Sequence, residues 1–286
     1  MKHLVRQLSN ISNQNKSLDK KSPIAIFDSG IGGLTVAKHL HLVIPGEKIV
    51  YFGDTARVPY GTKSAGIIKQ YAIQITKFLS KFNPKIIIIA CHSVSSIGGK
   101  SLLEKMFPEY IFFDVITPTI EHALHLTNNK KIGVIGTPAT IASGRYISMI
   151  KKLDRSVTIY QKACPLFVPL VEEGWLKGDV VESIIKSYIS DMLSNGIDTL
   201  ILGCTHYPLL KKSIKKVTGD SVNLVDASYA TGKKITNFLR ERNLNNPSKK
   251  EHPVLYFSDL PIYRKKILFF FWGKNSKPII KKICLG

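Results

Sequence analysis

The sequence predicts an α/β protein of two similar lobes, each a mainly parallel sheet flanked by helices, with the active site in the cleft between them. Two observations carry that expectation. Short apolar runs rich in Ile and Val alternate with amphipathic helical segments, the pattern of parallel strands buried on both faces. One composite unit, apolar strand, cysteine, hydroxyl residue and helix, is also written twice, as IIIIACHSVSS (86–96) and ILGCTHYPLL (201–210).

In chain order, strands are expected at IAIF (24–27), IVYF (49–52), IIIIA (86–90), YIFFDV (110–115), KIGVIG (131–136), TLIL (199–202) and VNLV (222–225). Between them, Ile67, Ile68, Tyr71, Ile75, Phe78 and Leu79 recur at helical spacing and predict a helix over 64–81. A second predicted helix covers 180–193. Each of the two repeated cysteines stands where its strand ends. Ligands bind at the carboxyl ends of strands in an open α/β sheet, so both cysteines are expected to face a ligand, one from each half. The expected division is a flexible N-terminal extension (1–22), a first lobe (23–115 plus 227–286) and a second lobe (116–226). The final stretch, 245–286, is basic with an apolar knot, ILFFFW (267–272), and reads as a helix packed on the first lobe.

Composition narrows the class. At 286 residues, 44% hydrophobic and 21% charged, the chain has material for a sizeable core. The 41 Lys+Arg against 20 Asp+Glu leave a net charge of +21. Such an excess marks a nucleic-acid binder when it is gathered into a patch. Here it falls in scattered pairs (Lys20-Lys21, Lys130-Lys131, Lys151-Lys152, Lys211-Lys212, Lys215-Lys216) without interleaved stacking aromatics, which favours solvated helix faces. No run approaches the ~20 apolar residues of a membrane span. The first residues lack the apolar core of a secretory signal. Four cysteines (Cys91, Cys164, Cys204, Cys284) are too few for a disulfide scaffold of this size, so reduced thiols in a cytoplasm are expected.

Polar clusters sit at several predicted strand ends. FDSG (27–30) opens a glycine-rich turn. The dinucleotide pattern G-x-G-x-x-G fails there, because Thr35 stands where the third glycine belongs. Asp28 and Ser29, at the mouth of the sheet, are the better candidates. In FGDTARVPYGTKS (52–64), Tyr60 and the backbone N–H groups near Gly61 either turn the chain or bind a carboxylate. In GTPAT (136–140), a threonine hydroxyl caps a helix or meets an anion, capping being the simpler reading. Neither CxxC nor HxxxH occurs, so no metal site is expected. Cys164 reads as a small buried hydrophobe and Cys284 as incidental. Cys91 and Cys204, placed alike, read as acid/base or nucleophilic thiols. A thiol before a helix N-terminus is expected to have its pKa drawn down toward neutrality, and so to serve as base in one state and acid in another. His206 is either a core histidine or a functional one, and its place two residues after Cys204 favours function.

FDSGIGGLTV, YFGDTARVPYGTKS, IIIIACHS, GVIGTPATI, CPLFVPLVEEG and DTLILGCTHYPLL, in this order, closely resemble the bacterial glutamate racemases, from Ile24 into the last residues. The resemblance implies a cofactor-independent interconversion of L- and D-glutamate, supplying D-glutamate for peptidoglycan synthesis. It implies that Cys91 and Cys204 flank the substrate's α-carbon, Cys204 taking the proton from L-glutamate while Cys91 delivers one to the opposite face. Asp28 would assist Cys91 and His206 would assist Cys204. Glu172 and Asp54 match acidic residues around the family's site. By the same carry-over, Ser29, Ser93 and Thr205 meet the substrate's α-carboxylate and amino end. Tyr60 and Gly61, assisted by Thr137, meet the side-chain carboxylate. One departure stands out. The family has asparagine after the first cysteine, and this chain has His92, larger and able to carry charge near pH 7. It is expected to weaken racemisation.

The resemblance also implies a homodimer in the cytoplasm, acting on a small molecule and not on a membrane. A basic binding protein that keeps the fold, with nucleic acid or DNA gyrase as partner, is the competing reading. Retention of both cysteines, Asp28 and His206 argues against it. Aspartate racemase is the neighbouring chemistry, and the PYGT and CTHYP segments favour glutamate.

Overall fold

The computed structural model describes residues 18–260 and 278–285. Four consecutive strands build most of the first sheet: β1 (Ile24–Asp28), β2 (Ile49–Gly53), β3 (Ile86–Ile89) and β4 (Phe112–Asp114). The second sheet contains β5 (Lys131–Gly136), β6 (Thr158–Ala163), β7 (Thr199–Gly203) and β8 (Asn223–Val225). Two further strands, β9 (Val254–Phe257) and β10 (Ile279–Lys282), extend the first sheet on the β2 side. All pairings are parallel, for instance Ile24 with Ile49 and Ile86, and Ile132 with Thr199.

The two sheets have the same order. The first reads β2-β1-β3-β4 beyond its added pair, and the second reads β6-β5-β7-β8. In each, the first strand of the lobe is flanked by the second and the third. That is where the strand order reverses, and where a crevice opens at the strand ends.

Residue type dictates the layers. On β1 and β3, Ile24, Ile26, Ile86 and Ile88 face one core, while Ala25, Phe27, Ile87 and Ile89 face the other. Strands with helices on both faces need apolar residues at every position, which is why IIII is tolerated at 86–89. The second lobe repeats this: Ile135, Leu200 and Leu202 lie on one side, Ile132, Val134 and Ile201 on the other.

The expected helices form. Helix α1 (Leu34–Val43) follows the glycine turn, and α2 (Ala65–Ser80) is capped by Ser64, whose hydroxyl accepts from the Ile67 N–H. Ile68, Ala72, Ile75 and Leu79 make its buried stripe. After β3 come α3 (His92–Ser96) and α4 (Gly99–Met106). The chain passes to the second sheet through α5 (Ile116–Leu126). There follow α6 (Pro138–Ala142), α7 (Arg145–Leu153), α8 (Phe167–Glu172), α9 (Asp179–Ser194) and α10 (Lys211–Thr218). It returns through α11 (Ala227–Glu241), whose N-cap Asp226 accepts from the Ser228 N–H.

Three strands lie outside the sequence expectation. β6 is a half-exposed edge strand, TIYQKA, without an apolar run. The stretch 245–286, read as a helix on the first lobe, instead contributes β9 and β10 in its described part; ILFFFW (267–272) lies outside the described residues, as do residues 1–17 of the N-terminal extension. Residues 18–22 lie against the first lobe, where Leu18 packs on the core and the Lys20 carbonyl accepts from Lys85 Nζ at 2.8 Å. Lys85 also pairs with buried Glu47 at 2.6 Å. Among the described residues, no helix is long and apolar enough to cross a membrane.

Candidate active site

The matching strand order brings matching strand ends face to face. Asp28 and Ser29 follow from β1, Cys91 leaves β3, Thr137 leaves β5 and Cys204 leaves β7. They meet around one narrow cleft. The first lobe lines it with Ser29, Val58, Pro59, Tyr60, Gly61, Cys91, His92 and Ser93, and the second with Thr137, Val168, Cys204, Thr205 and His206. Of the residues expected in or around the site, Asp28, Asp54 and Glu172 stand behind the lining. Val58 and Val168, which carry no chemistry in their sequence context, were not expected.

Asp28 is fully buried and fully engaged in hydrogen bonds. Its Oδ2 accepts from the N–H groups of Gly30 and Gly33 at 3.1 and 3.0 Å, both in the glycine turn that leads into α1. Its Oδ1 accepts from the Thr205 hydroxyl across the cleft at 3.2 Å. Burial raises its pKa, against the opposing pull of His206, the two amides and Thr205.

Cys91 is the N-cap of α3 and 4% exposed. The expectation of a lowered pKa from the helix terminus does not hold. Burial, and next the Asp28 carboxylate, push its thiol up to about 12, outweighing the Val94 N–H and the Ser29 hydroxyl that favour the thiolate. A five-residue helix supplies too few aligned dipoles to reverse this. Cys91 therefore rests as a thiol.

The other side is built differently. His206 Nδ1 lies 3.8 Å from Cys204 Sγ, and its Nε2 lies 2.7 Å from Glu172 Oε1. Burial works to lower the pKa of this imidazole, but the contacts with Cys204 and Glu172 prevail and hold it well above its usual value. Glu172 comes from the end of α8, so helix packing in the second lobe sets this chain of three groups.

His92 is 2% exposed, and neither ring nitrogen has a hydrogen-bond partner among the described residues. Burial pushes its pKa down to about 3, despite the opposite pull of Asp226. The charge that an imidazole can carry near pH 7 is thus absent from His92, because burial disfavours the cation and outweighs the pull of Asp226. The ring is neutral, with one donor and one acceptor on offer.

Tyr60 and Gly61 stand in a 3-10 turn (Tyr60–Thr62), and the Tyr60 hydroxyl donates to Asp54. Ser93 and Thr137 hydroxyls meet across the cleft at 3.1 Å, and Thr137 also caps α6, its Oγ1 accepting from the Thr140 N–H. Glycines let the lobes close. A Cβ on Gly32 would lie 2.5 Å from Thr205 Oγ1 and 2.6 Å from His206 Nδ1, and one on Gly61 would strike the Thr137 side chain. No cluster of metal-ligating side chains occurs among the described residues.

Known proteins place this geometry. The profile of Asp/Glu/Hydantoin racemases matches residues 35–231. A glutamate racemase of Chlorobaculum parvum is 42% identical over 90% of this chain and 94% of its own, and one of Sulfurihydrogenibium sp. is 49% identical over 78% and 84%. Among solved structures, the glutamate racemase of Francisella tularensis in complex with D-glutamate superposes with a TM-score of 0.86 at 38% identity, covering 93% of this chain and 98% of that one. The RacE1 isoform of Bacillus anthracis gives 0.87 at 30% identity with the same coverage. With two facing lobes and a match that spans most of its length, the chain is an amino-acid racemase that belongs to the Asp/Glu/Hydantoin racemase family.

Proposed function

We propose that this chain is a glutamate racemase that works by two-base proton transfer between Cys204 and Cys91, without a cofactor. One observation carries the reading: thiols at equivalent strand ends of opposite lobes line a single cleft. Inverting a carbon centre requires a proton to leave one face while another arrives on the opposite face. Two acid–base groups on separate bodies meet that need. The identity to glutamate racemases, one of them in complex with D-glutamate, supports glutamate as substrate.

In the direction from L-glutamate, Cys204 as thiolate removes the α-proton beside the protonated His206. Cys91, resting as a thiol, gives its proton to the other face. The Cys91 thiolate left behind meets the Val94 N–H and the Ser29 hydroxyl, and it is the form that attacks D-glutamate. Negative charge spreads from the α-carbon into the α-carboxylate during transfer. Ser29, Ser93 and Thr205 are the hydroxyls assigned to that end, with His92 beside them as a neutral donor and acceptor. Pre-aimed dipoles in a site closed from water are what such a charge requires. The amides of the Tyr60–Gly61 turn, with Thr137, are assigned the side-chain carboxylate.

The same reading divides the chain into lobes of 23–115 plus 227–286 and 116–226. From the resemblance in sequence it takes a homodimer that supplies D-glutamate for peptidoglycan in the cytoplasm. The test is racemisation in deuterated water with wild type, Cys91→Ser and Cys204→Ser. Wild type should place solvent deuterium at the α-carbon of the product without added cofactor, and either variant should lose racemisation by at least about a thousandfold. Full activity in either serine variant would refute the two-base assignment.

A further inference from the structure

Beneath the substrate loop lies a buried polar cluster that the proton-transfer chemistry does not use. Asp54, at the end of β2, has no exposed side-chain surface. Arg57 Nε donates to its Oδ2 at 2.7 Å, and the Tyr60 hydroxyl donates to the same oxygen. Two further contacts hold the guanidinium: its carbon lies 4.0 Å from the centre of the Tyr71 ring, and Nη1 donates to Gln74 Oε1 at 2.5 Å, while Nη2 has no hydrogen-bond partner among the described residues. Tyr71 and Gln74 belong to α2, so the cluster ties the loop to a helix of the first lobe.

A phenol has one proton to donate, and that of Tyr60 is committed to Asp54. Burial, and next Asp54, hold its pKa far above the usual range, so the phenol keeps that proton. The hydroxyl therefore has nothing to give a substrate carboxylate. What Tyr60 and Gly61 can offer there is backbone N–H, whose aim depends on how the turn is held. Asp54 is the hinge pin of that turn, and a carboxylate so buried needs a cation beside it.

We propose that Arg57 is a positioning residue of the racemase: by pairing with Asp54 and stacking on Tyr71 it fixes the acceptor for Tyr60, and through it the Tyr60–Gly61 amides that receive the distal carboxylate. The proposal rests on the assignment of glutamate as substrate. It differs from a stability role in what it disturbs, because it predicts a fault in recognition of one end of the substrate.

The test is steady-state racemisation by wild type, Arg57→Ala, Arg57→Lys and Tyr60→Phe, with inhibition by glutarate, which has both carboxylates and no amino group. Misaim of one charge-assisted contact predicts KM for glutamate, and the glutarate inhibition constant, raised together by about tenfold in Arg57→Ala, with kcat changed by less than about threefold. Arg57→Lys restores the charge without the fork or the stacking and should recover part of the loss. Tyr60→Phe, which removes only the hydroxyl, should reproduce the KM effect, and it keeps the test decisive if Arg57→Ala does not fold. Unchanged KM in Tyr60→Phe and Arg57→Lys, or a fall in kcat alone, overturns the proposal. If wild type itself does not racemise glutamate, the assignment of function fails instead, and the two failures are distinct.

Discussion

Glu172 and His206 meet at 2.7 Å, and the opposite ring nitrogen of His206 faces the Cys204 sulfur at 3.8 Å. The pair lies on one side of the cleft only, since behind Cys91 stands Asp28, a carboxylate with no imidazole between. The two thiols are thus given unlike environments: a cation beside one, an anion beside the other. Glu172→Gln should lower kcat by about tenfold, with the alkaline limb of the pH–rate profile moved to lower pH, as measured over pH 6–10. Because the enantiomers have equal free energy, kcat/KM must fall equally in both directions. An unequal fall would mean that the measured step is not racemisation.

The raised pKa of His206 also makes a statement about folding. Its stabilisation is fully present below the unfolded imidazole value near 6.5 and is lost as pH rises through the higher folded value. Thermal melts should therefore show the wild type losing stability toward alkaline pH, with a flatter profile in Glu172→Gln.

His92 predicts the opposite sign in acid. Its folded pKa of about 3 lies below the unfolded value of 6.5, so the unfolded chain takes up a proton that the native state refuses. Stability falls between those pH values, and the loss at pH 4 attributable to this ring reaches up to about 3 kcal/mol. His92→Asn should be more resistant to urea at pH 4 than wild type and similar to it at pH 8. It should also raise kcat/KM several-fold, by about threefold or more, as an amide offers more donors to the substrate's amino-acid end. An unchanged rate per active site would remove His92 from the binding surface.

Cys91 should be slow to alkylate. With a pKa of about 12, its thiolate fraction at pH 8 is about a thousandfold below that of an ordinary thiol. Peptide-level mass spectrometry after iodoacetamide treatment at pH 8 should find the exposed Cys284 modified long before Cys91. Rapid labelling of Cys91 would contradict its placement as the resting acid.

Gly32→Ala places a methyl group between the lobes, 2.5 Å from Thr205 Oγ1 and 2.6 Å from His206 Nδ1. Overpacking of this kind costs about 1–3 kcal/mol of stability. The larger effect should be on rate: kcat/KM down by at least about tenfold, since a small misplacement of the facing groups disturbs proton transfer. Comparison of kinetics with the shift in thermal midpoint separates the two.

Much of this was legible in the sequence for a physical reason. Strands buried on both faces must be continuously apolar, so Ile86–Ile89 and Thr199–Gly203 announce themselves, and with them the cysteines at their ends. β6 and β10 did not, because an exposed edge strand needs no apolar run: TIYQKA suggests no element, and IIKK falls in the stretch that reads as a helix on the first lobe. The site residues, and the pairing of His206 with Cys204, could be marked from motif resemblance, but not the pairing of His206 with Glu172. Glu172 and His206 are 34 positions apart, and only the packing of α8 brings them together. The pKa of Cys91 runs against the sequence expectation because the nearest helix is visible in sequence, whereas the burial that raises it, and next the Asp28 carboxylate from another strand, are not. Arg57 carried a local signal, its i,i+3 spacing from Asp54, that pointed to an ion pair but not to the hydroxyl sharing it.

The shared strand order of the two sheets has a mechanical consequence. The chain leaves the first sheet after Phe112–Asp114 and comes back after Asn223–Val225, so two joints, at the starts of α5 and α11, are the covalent links between the bodies that bear the sulfurs. The gap between Cys91 and Cys204 is then set by those joints together with the contacts across the cleft, Ser93 with Thr137 and Thr205 with Asp28. A few degrees of rotation there would change the reach of both thiols at once, while leaving each sheet as rigid as before.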